Sequence, residues 1–275
     1  MNKDAIGEHQ NADFGKISSV IWNIANHLRG GWKSYQYQDV ILPLTVLKRL
    51  DICLYPTKQK VLGRYNDLQG KVKNYDILKS ITGYDFYNTS PYTFKKLLED
   101  PSHIEKNMRA YIDGFSENIK SIFEKFEFDK QLDKLKESDI LYLIIQEFDK
   151  IDLDPTKISN HDIGLAFEEL IRKFNEQSNE TAGEHYTPRD IIQLMTEIIF
   201  TGEEDRLKDK NRITTIYDPA CGTGGMLTVS KDFILKKYNK DSKVYLFGQE
   251  LNSVTYAVCK ADMLIKSTIA DITCS

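Results

Sequence analysis

Asp218-Pro219-Ala220-Cys221-Gly222-Thr223-Gly224-Gly225 carries the strongest chemical signal in the chain. It follows a run of strand character, Ile213 to Tyr217, and opens a helical pattern from about Gly225. A glycine turn between strand and helix is where α/β sheets hold ligands. Glycines 222, 224 and 225 lack Cβ atoms, so a ligand can lie against the main chain. No Gly-Lys-Ser/Thr follows, which excludes a triphosphate P-loop, and Gly-x-Gly-x-x-Gly is not matched. Asp218 begins the turn where a dinucleotide site would have glycine. Its carboxylate would repel a pyrophosphate but attract a cationic ligand such as a sulfonium amino acid, which favours S-adenosylmethionine over NAD.

A second strand, Val244 to Gly248, leads into Gln249 and Glu250. An acid at that strand end can be a solvated terminus or can accept hydrogen bonds from ribose hydroxyls. Its place one βα unit after the glycine turn favours the ribose. Upstream, Thr187-Pro188-Arg189-Asp190 reads as a helix start with Thr187 as N-cap and Pro188 in the first turn. Such an N-terminus suits a ligand carboxylate, and Tyr186 could pack against a methionine chain. Arg189 could serve the ligand or pair with Glu184 or Asp190. His185 reads as a loop residue, since no second ligand stands at metal spacing. Cys221 lacks an evident base, so it reads as a small turn-filling residue rather than a nucleophile. Asp262 could face an adenine ring but reads as a helix-surface charge.

The elements that must position these residues divide by grammar. Up to about residue 150, apolar residues recur at helical spacing: Ile17, Val20, Ile21, Ile24 and Leu28 before Gly30-Gly31, then Val40 to Leu50 with Pro43 in a first turn, then Thr93 to Lys150. Asp152-Leu153-Asp154-Pro155 reads as the linker. Ser159 to Asp162 has capping-box form before a helix with Ile163, Phe167, Leu170, Ile171 and Phe174 on one face, and Asn175 to Gly183 reads as a polar loop. In the helix after Pro188, Ile191, Met195, Ile198 and Ile199 form the expected buried stripe. A last helix is expected over Val254 to Lys266. Alternation of strand and helix predicts an open parallel α/β sheet.

Composition bounds the function. The chain has 275 residues, 41% hydrophobic and 28% charged, as expected of a soluble globular protein of one large or two ordinary domains. No apolar run approaches the ~20 residues of a membrane span, and the start has no secretory h-region. Net charge is −4, with 22 basic and 21 acidic side chains in residues 1–150 and 15 and 20 thereafter, so nucleic-acid contact must be local or shared with another subunit. Lys48, Arg49, Lys58, Lys60, Arg64, Lys71, Lys73 and Lys79, with Tyr55, Tyr65 and Tyr75 among them, could track phosphates but read better as a solvated helical surface. Cys53, Cys221, Cys259 and Cys274 show neither zinc nor disulfide spacing, which points to the reducing cytoplasm.

From Ser159 to Lys266 the chain resembles the modification (methyltransferase) subunit of type I restriction–modification systems, the N6-adenine DNA methyltransferases. Asp218 to Gly225 resembles the family's cofactor loop and Gly248-Gln249-Glu250 its ribose motif. Gly183-Glu184-His185-Tyr186-Thr187-Pro188-Arg189 resembles the Tyr/Phe-Thr-Pro-Arg box at the methionine end. Tyr37-Gln38-Asp39 through Leu47-Lys48-Arg49-Leu50 is similar to the family's helical N-terminal domain. The resemblance implies an all-α domain over 1–154, for subunit and DNA contacts. Over 155–275 it implies the beginning of an α/β, Rossmann-like S-adenosylmethionine-dependent methyltransferase domain. The cofactor-binding residues would be Glu184, His185, Tyr186, Thr187, Pro188, Arg189, Asp218, Pro219, Ala220, Gly222, Thr223, Gly224, Gly225 and Glu250, with no metal. Double-stranded DNA and the specificity and restriction subunits are the implied partners. The family's Asn-Pro-Pro-Phe/Tyr segment, which grips the flipped adenine, is missing because all seven prolines are isolated. That motif is expected beyond Ser275, so no residue of the chain is assigned a catalytic role. The chain therefore reads as a truncated N-terminal portion, inactive alone. A non-catalytic assembly and docking module, or a methyltransferase for another substrate, are the competing readings.

Overall fold

The computed structural model describes residues 17–158, 160–178, 187–209, 212–266 and 268–274. Contacts between backbones group the chain into two compact units, 1–180 and 181–275, which are taken separately.

The first unit is helical. After α1 (17–25) come α2 (Gln38–Leu54), α3 (Lys58–Leu68), α4 (Lys79–Thr82), α5 (Phe94–Leu98), α6 (Ile104–Asp113), α7 (Glu117–Lys125), α8 (Phe128–Glu137), α9 (Leu141–Asp149) and α10 (Asn160–Ser178). Helix α2 is the hub. It is apolar nearly all round and packs on α8, α9 and α10, so Val40 to Leu50 is buried on every face. It starts at Gln38, which places Pro43 inside the helix rather than in the expected first turn. The extension puts Asp39 at the positive N-terminal end of the helix. Helix α10 buries the expected Ile163, Phe167, Leu170, Ile171 and Phe174. The Phe174 ring sits 5.0 Å from Trp22 of α1. Residues 175–178 continue α10, correcting the loop expected from Asn175, while Ser159 of the capping box lies outside the described residues.

Three of the basic residues read as surface are inside. Lys48 is 5% exposed, Arg49 0% and Lys58 6%. Lys48 pairs with Asp149 at 3.0 Å and donates to the Asp149 carbonyl at 3.1 Å. Arg49 donates to the carbonyl of Leu153 and, at 3.0 Å, to that of Ile158. The segment expected to be a linker is therefore bound to α2 rather than slack. Lys58 donates to Asn88 Oδ1 at 2.9 Å and lies 5.4 Å from the Tyr111 ring centre. Beside it Asp51 accepts from the Tyr111 hydroxyl at 2.7 Å and the Phe94 amide at 3.3 Å. Burial lowers the Lys58 ammonium to about 8 and raises the Asp51 carboxyl. Charges enter this core because each finds a fixed partner. Helical periodicity does not report such pairing. Lys60, Arg64, Lys71 and Lys73 are exposed, as expected.

Burial, opposed by Lys134, raises the Asp39 carboxyl from its ordinary 3.8 to about 6. Between those values the folded chain holds a proton that the unfolded chain has released, so this group's contribution to stability falls as pH rises through that window. Asp39→Asn should gain stability relative to wild type by about 1 kcal/mol from pH 4 to pH 7, after allowance for the water that still reaches the group. Parallel thermal melts across that range test it, and a constant difference would contradict it.

The second unit contains α11 (Arg189–Phe200), α12 (Glu204–Leu207), β1 (Ile213–Asp218), α13 (Gly225–Lys237), β2 (Lys243–Glu250), α14 (Ser253–Ile265) and β3 (Ala270–Cys274). The strands form a parallel sheet in the order β1-β2-β3, with Asp218 opposite Gly248 and Gly248 opposite Ile272. The expected βαβα order is present, and β3 extends it by a strand that the sequence reading did not assign. Ser275, beyond which the adenine-gripping motif is expected, follows β3 and lies outside the described residues. Leu227 and Ile234 of α13, Cys259 and Met263 of α14, and Val244, Leu246 and Ile272 of the sheet form the core.

Two expectations about burial in this unit fail. The stripe on α11 faces outward: Ile191, Met195, Ile198 and Ile199 are 46, 42, 65 and 55% exposed. The packed side is Ile192, Thr196 and Phe200, turned to α13, with Thr196 Oγ1 3.4 Å from Ser230 Oγ. Helix α11 is apolar on both sides, so its period could not choose between them. Asp262 is buried rather than on the surface, where Lys266 one turn later pairs with it.

Candidate ligand crevice at the strand ends

The carboxyl ends of β1 and β2 lie side by side, and the chemistry-bearing residues gather there. Asp218 closes β1 and its Oδ1 accepts the Ala220 amide at 3.1 Å, which starts the turn. The Cys221 amide donates to the Gln249 carbonyl at 2.9 Å, anchoring the turn to β2. The Gly224 amide then donates back to the Cys221 carbonyl at 2.8 Å. Gly222 and Gly224 have φ of 55° and 86°, a region that side chains disfavour, which explains glycine at both positions. Gly224 is the N-cap of α13, and Thr228 Oγ1 donates to its carbonyl at 3.0 Å.

Glu250 spans the crevice. Its Oε2 accepts the Gly222 amide at 2.8 Å and its Oε1 accepts the Asn252 amide at 2.7 Å. Each oxygen keeps lone pairs for a further donor. The structure thus brings Asp218 to Gly225 and Glu250 into one rim, with Pro219 and Ala220 exposed and Thr223 half-buried. Space is open above Gly222, where an added Cβ would meet nothing within 4 Å. Below the turn packing is tight: a Cβ on Gly224 would lie 2.7 Å from Met263 Cε and 2.8 Å from Cys259 Sγ. Gly224→Ala should therefore cost about 2–3 kcal/mol, combining a disfavoured φ with overpacking. A chemical-denaturation curve indistinguishable from wild type would refute this.

Two thiols, Cys221 and Cys259, belong to the core cluster under the turn, and Cys221 Sγ donates to the Gly222 carbonyl at 3.9 Å. Hydrogen bonding between the two thiols holds the Cys221 pKa below its ordinary value, and together with burial it pushes Cys259 well above.

The upstream box is only partly in view. Glu184, His185 and Tyr186 lie outside the described residues. Thr187 and Pro188 are exposed and Arg189 half-buried at the start of α11. Pro188, not Thr187, is the N-cap and no side chain caps the helix, because ψ of 139° at Pro188 keeps the chain extended until Arg189. Sequence reasoning missed Asn252. Its side chain accepts the Val254 and Thr255 amides at 3.0 Å to cap α14, while its own amide holds Glu250. An Asn between a strand end and an apolar helix was the available signal. It also missed Tyr217, whose hydroxyl donates to Gln249 Oε1 at 2.7 Å. Among the described residues no three His, Cys, Asp or Glu side chains cluster as metal ligands, and no helix is long and apolar enough to cross a membrane.

Comparison with known proteins bears on both domains and on the fold. Residues 17–148 match the HsdM N-terminal domain and residues 158–273 match N-6 DNA Methylase. The MpnII methylase subunit of the type I restriction enzyme of Mycoplasma pneumoniae is 26% identical, over 90% of this chain and 50% of its own length. The MjaIX methylase subunit of Methanocaldococcus jannaschii is 23% identical, over 94% and 46%. The crystal structure of a type I restriction–modification methyltransferase subunit from Streptococcus thermophilus shares the fold, with a TM-score of 0.69 and 22% identity, over 95% of this chain and 58% of that one. The chain thus spans about half the length of the relatives it matches. With both domain matches in order along it, the chain belongs to the family of type I restriction–modification methylase subunits.

Proposed function

We propose that this chain supplies the cofactor-binding part of a type I modification enzyme that methylates N6 of adenine in double-stranded DNA, in the cytoplasm, with a specificity and a restriction subunit as partners. S-adenosylmethionine is the proposed cofactor, and when bound it supplies an electrophilic methyl group on sulfur. The observation that supports this most is the Gly222 amide bound to Glu250, with Asp218 on the same rim. Glu250 keeps acceptor capacity for two adjacent ribose hydroxyls. Asp218 supplies negative charge suited to a sulfonium and hostile to phosphate. Gly222 and Gly224 let the ligand approach the main chain. Glu184, His185, Tyr186, Thr187, Pro188 and Arg189 are proposed to hold the methionine end, and Pro219, Ala220, Thr223 and Gly225 to complete the wall.

Residues 1–275 contain no Asn-Pro-Pro segment to hold a flipped adenine, so binding without turnover is expected from them. Calorimetry with S-adenosylmethionine and radiolabelled methyl transfer to plasmid DNA test both halves. Cofactor binding without incorporation supports the reading. Robust incorporation would refute the division between cofactor and base sites, and no binding would refute the cofactor assignment.

A further inference from the structure

We propose that Cys221 and Cys259 form a reversible oxidation site: a peroxide-class oxidant joins them as a disulfide that ties the glycine turn to α14 and weakens ligand binding. The effect on binding rests on the cofactor assignment above; the bond itself does not.

The two thiols come from distant parts of the sequence and meet under the one loop that the ligand must touch. Cys221 is inside the turn, and its Sγ lies 2.9 Å from where a Cβ on Gly248 would stand. Cys259 is on α14, and its Sγ lies 2.8 Å from the corresponding position on Gly224. The Gly224 amide is bonded to the Cys221 carbonyl, so both sulfurs flank the same short bend. Cys259 is fully buried and Cys221 is 5% exposed, and its chain neighbour Ala220 is exposed. A molecule the size of hydrogen peroxide needs only a local opening of the turn to reach Cys221.

The chemistry balances. The Cys221 thiolate attacks one peroxide oxygen, the O–O bond breaks, and sulfenic acid and hydroxide form. The Cys259 sulfur then attacks the sulfenic sulfur, the S–O bond breaks, and the Cys259 proton and the departing oxygen leave as water. Two thiols are oxidised by two electrons and the peroxide is reduced. Hydrogen bonding to Cys259 lowers the Cys221 pKa and so favours the attacking thiolate. An S–S bond of about 2.05 Å is far shorter than any non-bonded sulfur contact, so the turn must be drawn toward α14. Gly222, next to Cys221, moves with it and loosens its bond to Glu250.

The test treats the 275-residue chain with hydrogen peroxide and maps its thiols by alkylation and peptide mass spectrometry. A peptide linked through Cys221 and Cys259 is expected, reversed by dithiothreitol and absent from Cys259→Ala and Cys221→Ala. Hydrogen exchange at the Gly222 amide should accelerate in the bridged chain, and S-adenosylmethionine affinity should fall roughly tenfold or more. Two free thiols after treatment, or a bridge to Cys274 instead, would overturn the site. A 221–259 bridge with unchanged Gly222 exchange would overturn its coupling to the turn. If the reduced chain binds no S-adenosylmethionine, the cofactor assignment fails, while mapping and exchange still decide the thiol pair.

Discussion

Glu250→Ala is expected to weaken S-adenosylmethionine binding by roughly 100-fold, the loss of about two charge-assisted hydrogen bonds. The same carboxylate receives the Gly222 and Asn252 amides, so its removal also frees the turn. Both amides border solvent, and water can take the vacant place. The folding cost should therefore stay near 1 kcal/mol. Glu250→Gln separates the two roles. It keeps one carbonyl acceptor but turns an NH₂ toward a backbone donor, and its affinity should fall between the other two. Calorimetry on all three chains, with a melt of each, checks this. Alanine binding as well as wild type would remove Glu250 from the ligand site.

Arg49→Leu is expected to destabilise the helical unit by about 3 kcal/mol, roughly 6–12 °C in a thermal melt. Arg49 is fully buried on α2, and its guanidinium satisfies the carbonyls of Leu153 and Ile158. Leucine fills part of the volume but supplies no donor, so two acceptors lose their partner inside the protein. Lys60→Leu, on an exposed position of α3, is the control and should change stability by less than about 0.5 kcal/mol. Equal melts for the two variants would show that Arg49 bears no structural role.

The contrast between Arg49 and Lys60 shows how far the sequence could be read. Both are basic residues in one cationic stretch. Their charge and spacing are alike, and only long-range partners distinguish them. Arg49 meets carbonyls more than a hundred positions away. The same holds for Asp262, whose partner Lys266 was visible at helical spacing but whose burial was not. The outward turn of Ile191, Met195, Ile198 and Ile199 belongs here too. A helix apolar on two sides has a legible period and an illegible orientation until a neighbour, here α13, occupies one side.

What the sequence determined by itself was local. The order of helices, then strand, glycine turn, helix, strand and helix, follows from side-chain period and from backbone angles that only glycine takes readily, and both act within a few residues. Asp218, Gly222, Gly224 and Glu250 stood out as the candidate set for the same reason. The tertiary structure decided what those residues do to one another: that Glu250 reaches back 28 positions to the Gly222 amide, that Asn252 holds the same carboxylate, and that Cys221 and Cys259 share the core cluster beneath the turn. Such pairings depend on a parallel register that places Asp218 opposite Gly248, and that register is set by the packing of α13 and α14 on the sheet, not by any short stretch of chain.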